Sequence, residues 1–453
     1  MEPNRQSPCW RIVLGLALVL ALGSVPVAVL GCSSETPRTP ALDGTPAPVA
    51  GTSGTAGSAG GTGGTQPGAF DAAVRDAAVS NAGRGGDAAV RDAAVRDGAA
   101  LDAARDASEP IDSGPPGMTY VYLSGYGANI HVFELDLTTG ALVARGTANG
   151  GESPSYLAIA PDERTLYAIN EVEPSSEVVA FAIDRASGAL TEINRASSGG
   201  EGAPHLAVHP SGKWVAVAHY GSGHTTVLPV LANGGVGAPV ASERGPNNGC
   251  SRAHQAVFDR AGTHLFVPCL ESNYVLQFSF DASDGSLAYN DPPTAAVTGG
   301  PRHMVLHPSE RYAYVLSETA STITSFDYDA AGGKLSNPQV IDSHQSMPGA
   351  SAHIAVHPNG RFLYASNRNE NSLGAFVLDA NGRPTAASFA TEMIDTPRDF
   401  AIDPSGAFLI AANQRGAQNA LVFRIDPQTG ALTRVQVVAV GDSPSFVGFA
   451  ILR

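Results

Sequence analysis

Positive charge is what this chain has least of. Lys and Arg total 27 against 42 Asp and Glu, a net charge of −15 over 453 residues. A nucleic-acid partner needs a basic surface to replace the counterions of its phosphates, so that class is excluded. Charge of either sign is scarce, at 15% of residues, whereas glycine reaches 51. Little charge, abundant glycine and short apolar runs describe an all-β domain rather than a helical one. Cysteine is limited to four residues, with no Cys-x-x-Cys, and the histidines are spread along the chain rather than gathered in one segment. No metal site and no cofactor are therefore expected. A P-loop and a serine-hydrolase elbow are missing as well.

Three regions differ in composition. Residues 1–32 read as a lipoprotein-type signal peptide: Arg5 and Arg11 precede an almost wholly apolar run from Ile12 to Leu30. Val29-Leu30-Gly31-Cys32 resembles a bacterial lipobox, with Cys32 as the lipidated residue. Gly15, Gly23 and Pro26 argue against an uncleaved spanning helix. The chain is accordingly expected outside the cytoplasm, held at the cell envelope by an N-terminal lipid anchor. Residues 33–117 are a low-complexity stalk in which Phe70 is the sole aromatic residue. Such a stretch cannot bury enough apolar area to offset chain entropy, and disorder is expected. Residues 118–453 form the folded domain.

Within that domain six segments recur. They centre on Pro161, Pro210, Arg260, Pro308, Pro358 and Pro404, at steps of 49, 50, 48, 50 and 46 residues. A second signature, as in Asp136-Leu-Thr-Thr-Gly140 and Asp426-Pro-Gln-Thr-Gly430, marks hairpin turns, and with looser copies there are seven. Such a period with strand-like sequence in each unit indicates a β-propeller. The six repeats and seven turns are reconciled if Ser443 to Leu452 supplies the inner strand of a blade begun by Thr119 to Ser124. The expected fold is an all-β seven-bladed propeller closed by its N- and C-terminal strands in one blade, which leaves no unpaired sheet edge at the junction.

Alignment on the repeat centres superposes equivalent positions. Six residues before each centre stand Ser155, Pro204, His254, Arg302, Ala352 and Arg398, with Ser445 in the seventh blade. This rung belongs at the start of the inner strand, near the channel mouth. The next positions, including Tyr156, His205, His303, His353 and Asp399, form a polar rung. Ten residues after each centre, past the second strand, come Glu171, Tyr220, Glu318 and Arg368 among others. Antiparallel pairing brings both ends to one face, so carboxylates are expected beside the cations. The histidines of the His-Pro turns, His209, His307 and His357, are read as blade-packing residues. Cys250 and Cys269 fall at one end of one blade and form either a disulfide or two buried thiols.

The stretches Gly300-Pro-Arg-His303-Met-Val-Leu-His-Pro308 with Tyr312 to Glu318, and Ser351-Ala-His353 through Asn367-Arg368, carry a family resemblance. So do Thr396-Pro-Arg398-Asp-Phe400 and Gly249-Cys250. The domain resembles the lactonase family of seven-bladed propellers, the 6-phosphogluconolactonase type, and the related carboxymuconate-lactonizing enzymes. The resemblance implies a catalytic set of His254, Arg302, Glu318 and Arg398. It adds His303, His353, Asn367 and Arg368 as substrate-binding residues. The implied enzyme is a lactone hydrolase that opens a sugar lactone to an aldonic acid, with activated water and arginine stabilisation. A monomer acting on a small lactone is expected. Two other readings stand beside it: a muconate-type cycloisomerase, and a non-catalytic surface propeller that binds a glycan or protein.

Overall fold

The computed structural model describes residues 117–246 and 249–452. The signal segment with its Cys32 and the stalk up to residue 116 lie outside the described residues. Among the described residues there are strands and turns but no helix. They form seven four-stranded antiparallel sheets. Blades one to six span 154–197, 205–243, 257–296, 301–342, 351–390 and 397–439. In each the first strand is innermost. Blade seven takes its inner strand, Pro444–Leu452, from the C-terminus and its other three from Met118–Gly125, Asn129–Leu135 and Leu142–Asn149. Met118 pairs with Leu452 and Leu123 with Val447, so the two chain ends close the ring as expected.

Seven apolar clusters hold the ring, one at each junction between neighbouring blades. The cluster joining blades seven and one packs Tyr120, Tyr122 and Phe446 against Leu157, Leu166 and Phe181. Alternation along the strands sends side chains to both faces of every sheet, and both faces meet a neighbour. Second strands therefore read as continuous apolar runs rather than alternating ones, and Tyr312–Ser317 is buried throughout.

Turn chemistry ties each blade to the next. The Asp136 carboxylate accepts from the backbone amides of Thr138 and Thr139, and Asp184 caps its turn likewise. The glycine that follows is needed twice over. Gly188 has φ +70°, and a Cβ there would lie 2.5 Å from the ring of Tyr120. Tyr122 donates its hydroxyl to the Gly188 carbonyl at 2.9 Å, and Tyr364 does the same to Gly430 at 2.8 Å. The His-Pro histidines make the same kind of contact from the turns that follow the inner strands. His209, His307 and His357 bond the carbonyls of Gly262, Gly360 and Gly406 in the following blades at 2.8–2.9 Å. Their role is blade packing.

Candidate active site

Inner strands begin with a bulge in most blades. Pro301 pairs with Ser317 and His303 with Leu316, which leaves Arg302 as the extra residue. Arg398 stands in the same position between Pro397 and Asp399, and Ser155 and Ser445 do so in blades one and seven. A bulge breaks the ladder locally and re-aims its side chain. Here it brings the Arg302 and Arg398 side chains to one cleft at the channel mouth, together with Tyr126, Ser155, Tyr156, Glu171, Pro204, His303 and Ser445.

Arg302 is 2% exposed. Its Nη1 donates to the Ala352 carbonyl at 2.6 Å, and its Nε lies 2.9 Å from Glu318 Oε2. The other Glu318 oxygen lies 2.8 Å from Arg368 Nη2. Both contacts are charge pairs without hydrogen-bond alignment, so Arg302 Nε and Arg368 Nη2 are buried with no aligned acceptor. Arg398 sits with its guanidinium carbon 5.2 Å from the ring centre of Tyr126, whose hydroxyl donates to Glu171 at 3.0 Å. Of the three guanidiniums, Arg302 and Arg368 share the Glu318 carboxylate, and Arg398 has no ion-pair partner among the described residues.

Burial and like charge shape the ionisation of this cluster. Desolvation, then the Arg398 and Arg368 charges, bring Arg302 down to about 9, still protonated near neutral pH. Burial alone would raise the Glu318 carboxyl, but Arg302 and Arg368 outweigh it and hold the group below the ordinary glutamate range. His254 is pushed well below the usual imidazole value by burial, with Arg302 and Arg398 adding to the effect. It is neutral, 5% exposed, and its Nδ1 has no hydrogen-bond partner. Its ring stands edge-on to Tyr220 and His303, at 5.7 and 5.4 Å between ring centres.

Below the mouth the polar rung plugs the channel. Tyr156 lies 4.0 Å from His205 and 4.6 Å from Phe446 between ring centres. His303 Nδ1 is 2.9 Å from His353 Nδ1, which is 3.0 Å from Asp399 Oδ1. Gln255 and Asp399 accept backbone amides of the following blades, from Met304 and Val447. Burial first, with Arg302 and the neighbouring histidines, keeps His303 far below its ordinary value.

Of the residues singled out from the sequence, His254, Arg302, Glu318, Arg398, His303 and Arg368 gather at the mouth. His353 lies one step deeper, in the plug. Asn367 does not join them. It is fully buried in blade five, and its carboxamide is committed to Ser343, Ser351 and Ser372, which corrects its assignment to substrate binding. Cys250 and Cys269 are joined in a disulfide. Among the described residues no group of three or more His, Cys, Asp or Glu side chains is arranged to hold a metal ion. Tyr126 was missed, yet a signal for it exists. Ser124 faces Phe446 as Leu316 faces His303, so Tyr126 is the blade-seven counterpart of Glu318.

Comparison with known proteins converges on the same domain. The family described as "Lactonase, 7-bladed beta-propeller" matches residues 119–449. A 6-phosphogluconolactonase of Pectobacterium carotovorum is 32% identical over 330 residues, covering 71% of this chain and 96% of the relative. The 6-phosphogluconolactonase of Bacillus subtilis is 29% identical over 325 residues, covering 70% and 93%. Among solved structures, a periplasmic gluconolactonase of Pseudomonas aeruginosa superposes with a TM-score of 0.69 at 26% identity, covering 74% of this chain and all of that one. The chain belongs to the lactonase family of seven-bladed β-propellers and is an enzyme of that hydrolase class.

Proposed function

We propose that the mouth cluster hydrolyses a sugar lactone to the aldonic acid. The observation that carries this reading is the Arg398 guanidinium, free of any ion pair among the described residues, near a neutral imidazole whose Nδ1 has no hydrogen-bond partner. Water attacking the carbonyl carbon of a lactone creates a tetrahedral oxyanion, and the ring C–O bond then breaks with a proton delivered to the leaving oxygen. Arg398 and the unaligned Nε of Arg302 are suited to the oxyanion, because their donors need no reorganisation to meet it. Glu318 has both oxygens committed to Arg302 and Arg368, and it acts as the positioning group that aims them. His254 has a free lone pair at neutral pH, takes the proton from water and returns it to the leaving oxygen.

Arg398→Ala and Arg302→Ala are each expected to lose about 10²–10³-fold in kcat/KM for a δ-lactone, the cost of one oxyanion donor. Proton release from the purified domain reads this, with a thermal melt to establish folding. Arg398 is the cleaner probe, since it forms no ion pair among the described residues. Unchanged kcat/KM in a folded Arg398→Ala protein would remove the arginine from the reaction. The apolar run at 12–30, the Cys32 motif and the likeness to a periplasmic neighbour support an exported, lipid-anchored enzyme acting outside the cytoplasm, which cell fractionation checks.

A further inference from the structure

A chain of polar groups crosses the plug without a part in the proton transfer at His254. Asp399, in blade six, is 2% exposed. Its Oδ2 accepts the Val447 amide at 2.9 Å, and its Oδ1 lies 3.0 Å from His353 Nδ1. The same His353 nitrogen is 2.9 Å from His303 Nδ1. His353 and Asp399 line the channel below the plug, whereas His303 lines the mouth cleft with Arg302 and Arg398.

These distances decide where the hydrogens are. A carboxylate oxygen can only accept. His353 Nδ1 therefore carries a hydrogen, because a lone pair there would face the Asp399 oxygen. Asp399 Oδ1 has no aligned hydrogen bond, so that hydrogen points to His303 and the carboxylate acts through its charge. Only one hydrogen fits between the two imidazole nitrogens, which makes His303 Nδ1 the acceptor. Burial first and Arg302 second keep the His303 ring neutral, with a single hydrogen of its own. That hydrogen is then on Nε2. With Nδ1 turned to His353, Nε2 is on the edge left to the cleft, and among the described residues it has no protein partner. In this tautomer an N–H is presented beside Arg302 and Arg398, where the hydrolysis reading forms its oxyanion. In the other tautomer a lone pair would face the same oxygen and oppose its charge. A neutral imidazole supplies the donor without adding a cation to the cluster.

We infer that Asp399 and His353 are positioning residues that hold His303 in its Nε2–H tautomer, and so make it a further donor to the oxyanion. The inference rests on the lactone-hydrolase reading. Its test is Asp399→Asn, which keeps the side-chain shape. The Val447 amide holds the asparagine oxygen, so the asparagine N–H faces His353 Nδ1, turns it into an acceptor and drives the His303 hydrogen to Nδ1. Long-range proton–nitrogen NMR of the purified protein labelled with ¹⁵N-histidine reads the tautomer, and loss of a signal in His303→Gln assigns it. Wild type is expected to show Nε2–H at His303 and Asp399→Asn to show Nδ1–H. For glucono-1,5-lactone the variant is expected to lose at least about tenfold in kcat, with KM moved by less than about threefold. His303→Leu is expected to lose as much, and His303→Gln, which still carries an amide donor, to lose less. Thermal melts establish folding. Nδ1–H at His303 in wild type overturns the inference whether or not the variants fold, and so does an unchanged kcat in a folded Asp399→Asn protein. Both results leave lactone hydrolysis intact. Failure of the wild type to open the lactone overturns the hydrolysis reading and the donor role together, while the NMR still reports the tautomer.

Discussion

Arg302, His254 and Glu318 share one feature at the residue scale: burial and neighbouring charge together separate each from its solution chemistry. The imidazoles of His205, His254 and His303 are all driven well below the ordinary value, by desolvation first and by neighbouring cations or histidines second. A histidine whose folded-state pKa is depressed binds its proton less readily than the unfolded chain does. Its contribution to stability is complete above about pH 6.5 and is lost as pH falls below it, at up to about 1.4 kcal/mol per pH unit for each such histidine. Glu318 acts in the same direction in a lower window. Its depressed pKa stabilises the fold above about pH 4.3, and that contribution goes as pH falls toward the folded value. Urea unfolding at pH 7.5, 6.5 and 5.5 is therefore expected to show a steep loss below 6.5, and His303→Gln to flatten it. A midpoint that stays constant from 7.5 to 5.5 would mean that these histidines titrate normally in the folded chain.

At the scale of elements, the bulged start of the inner strand does the placing. It is the reason that arginines flanked by ladder residues point into the mouth rather than into a sheet face. Blade three departs from this plan. Its inner strand is only Val257–Phe258, and the segment before it is held by a bridge between Ala253 and Cys269, by the amides of His254, Leu270 and Glu271 on the carbonyls of Pro268, Arg252 and Ser251, and by the disulfide. The Cys250–Cys269 bond thus adds a covalent tie to this short pairing, four residues from His254. Cys250→Ser/Cys269→Ser is expected to lose about 2–4 kcal/mol of stability. It should also lose at least tenfold in kcat/KM at a temperature where it remains folded. Activity fully retained under those conditions would limit the disulfide to stability alone.

For the whole molecule, closure is the decisive step. Blade seven has no complete sheet until Pro444–Leu452 returns to Met118–Gly125, and that strand buries Phe446, Val447, Ala450 and Leu452 in the clusters of both adjoining junctions. Deletion of residues 444–453 is expected to expose the edge of Met118–Gly125, lower the thermal midpoint by at least about 10 °C and promote association. Size-exclusion chromatography with a thermal melt measures both, and a truncated chain that stays monomeric with an unchanged midpoint would contradict the closure argument. Closure also matters for the site, because Tyr126 and Ser445 reach the cleft only from the joined blade.

Much of this was legible before any coordinates. Period, turn glycines and the orphan strands at the two ends determine a seven-bladed ring, because backbone pairing and burial of apolar runs leave few alternatives. The rungs likewise named Arg302, Arg398, Glu318 and His254, since rotational symmetry makes equivalent positions converge. Asn367 was misread because a conspicuous polar residue at a strand end looks the same in sequence whether it faces a cleft or a cluster of serines. Tyr126 was overlooked because its rung is completed by pairing between residues more than 300 apart in the chain. Which cations are neutralised and which imidazole lacks a partner were decided only by tertiary structure. Ionisation and ion pairing depend on distance and desolvation, and these arise between blades rather than along the chain.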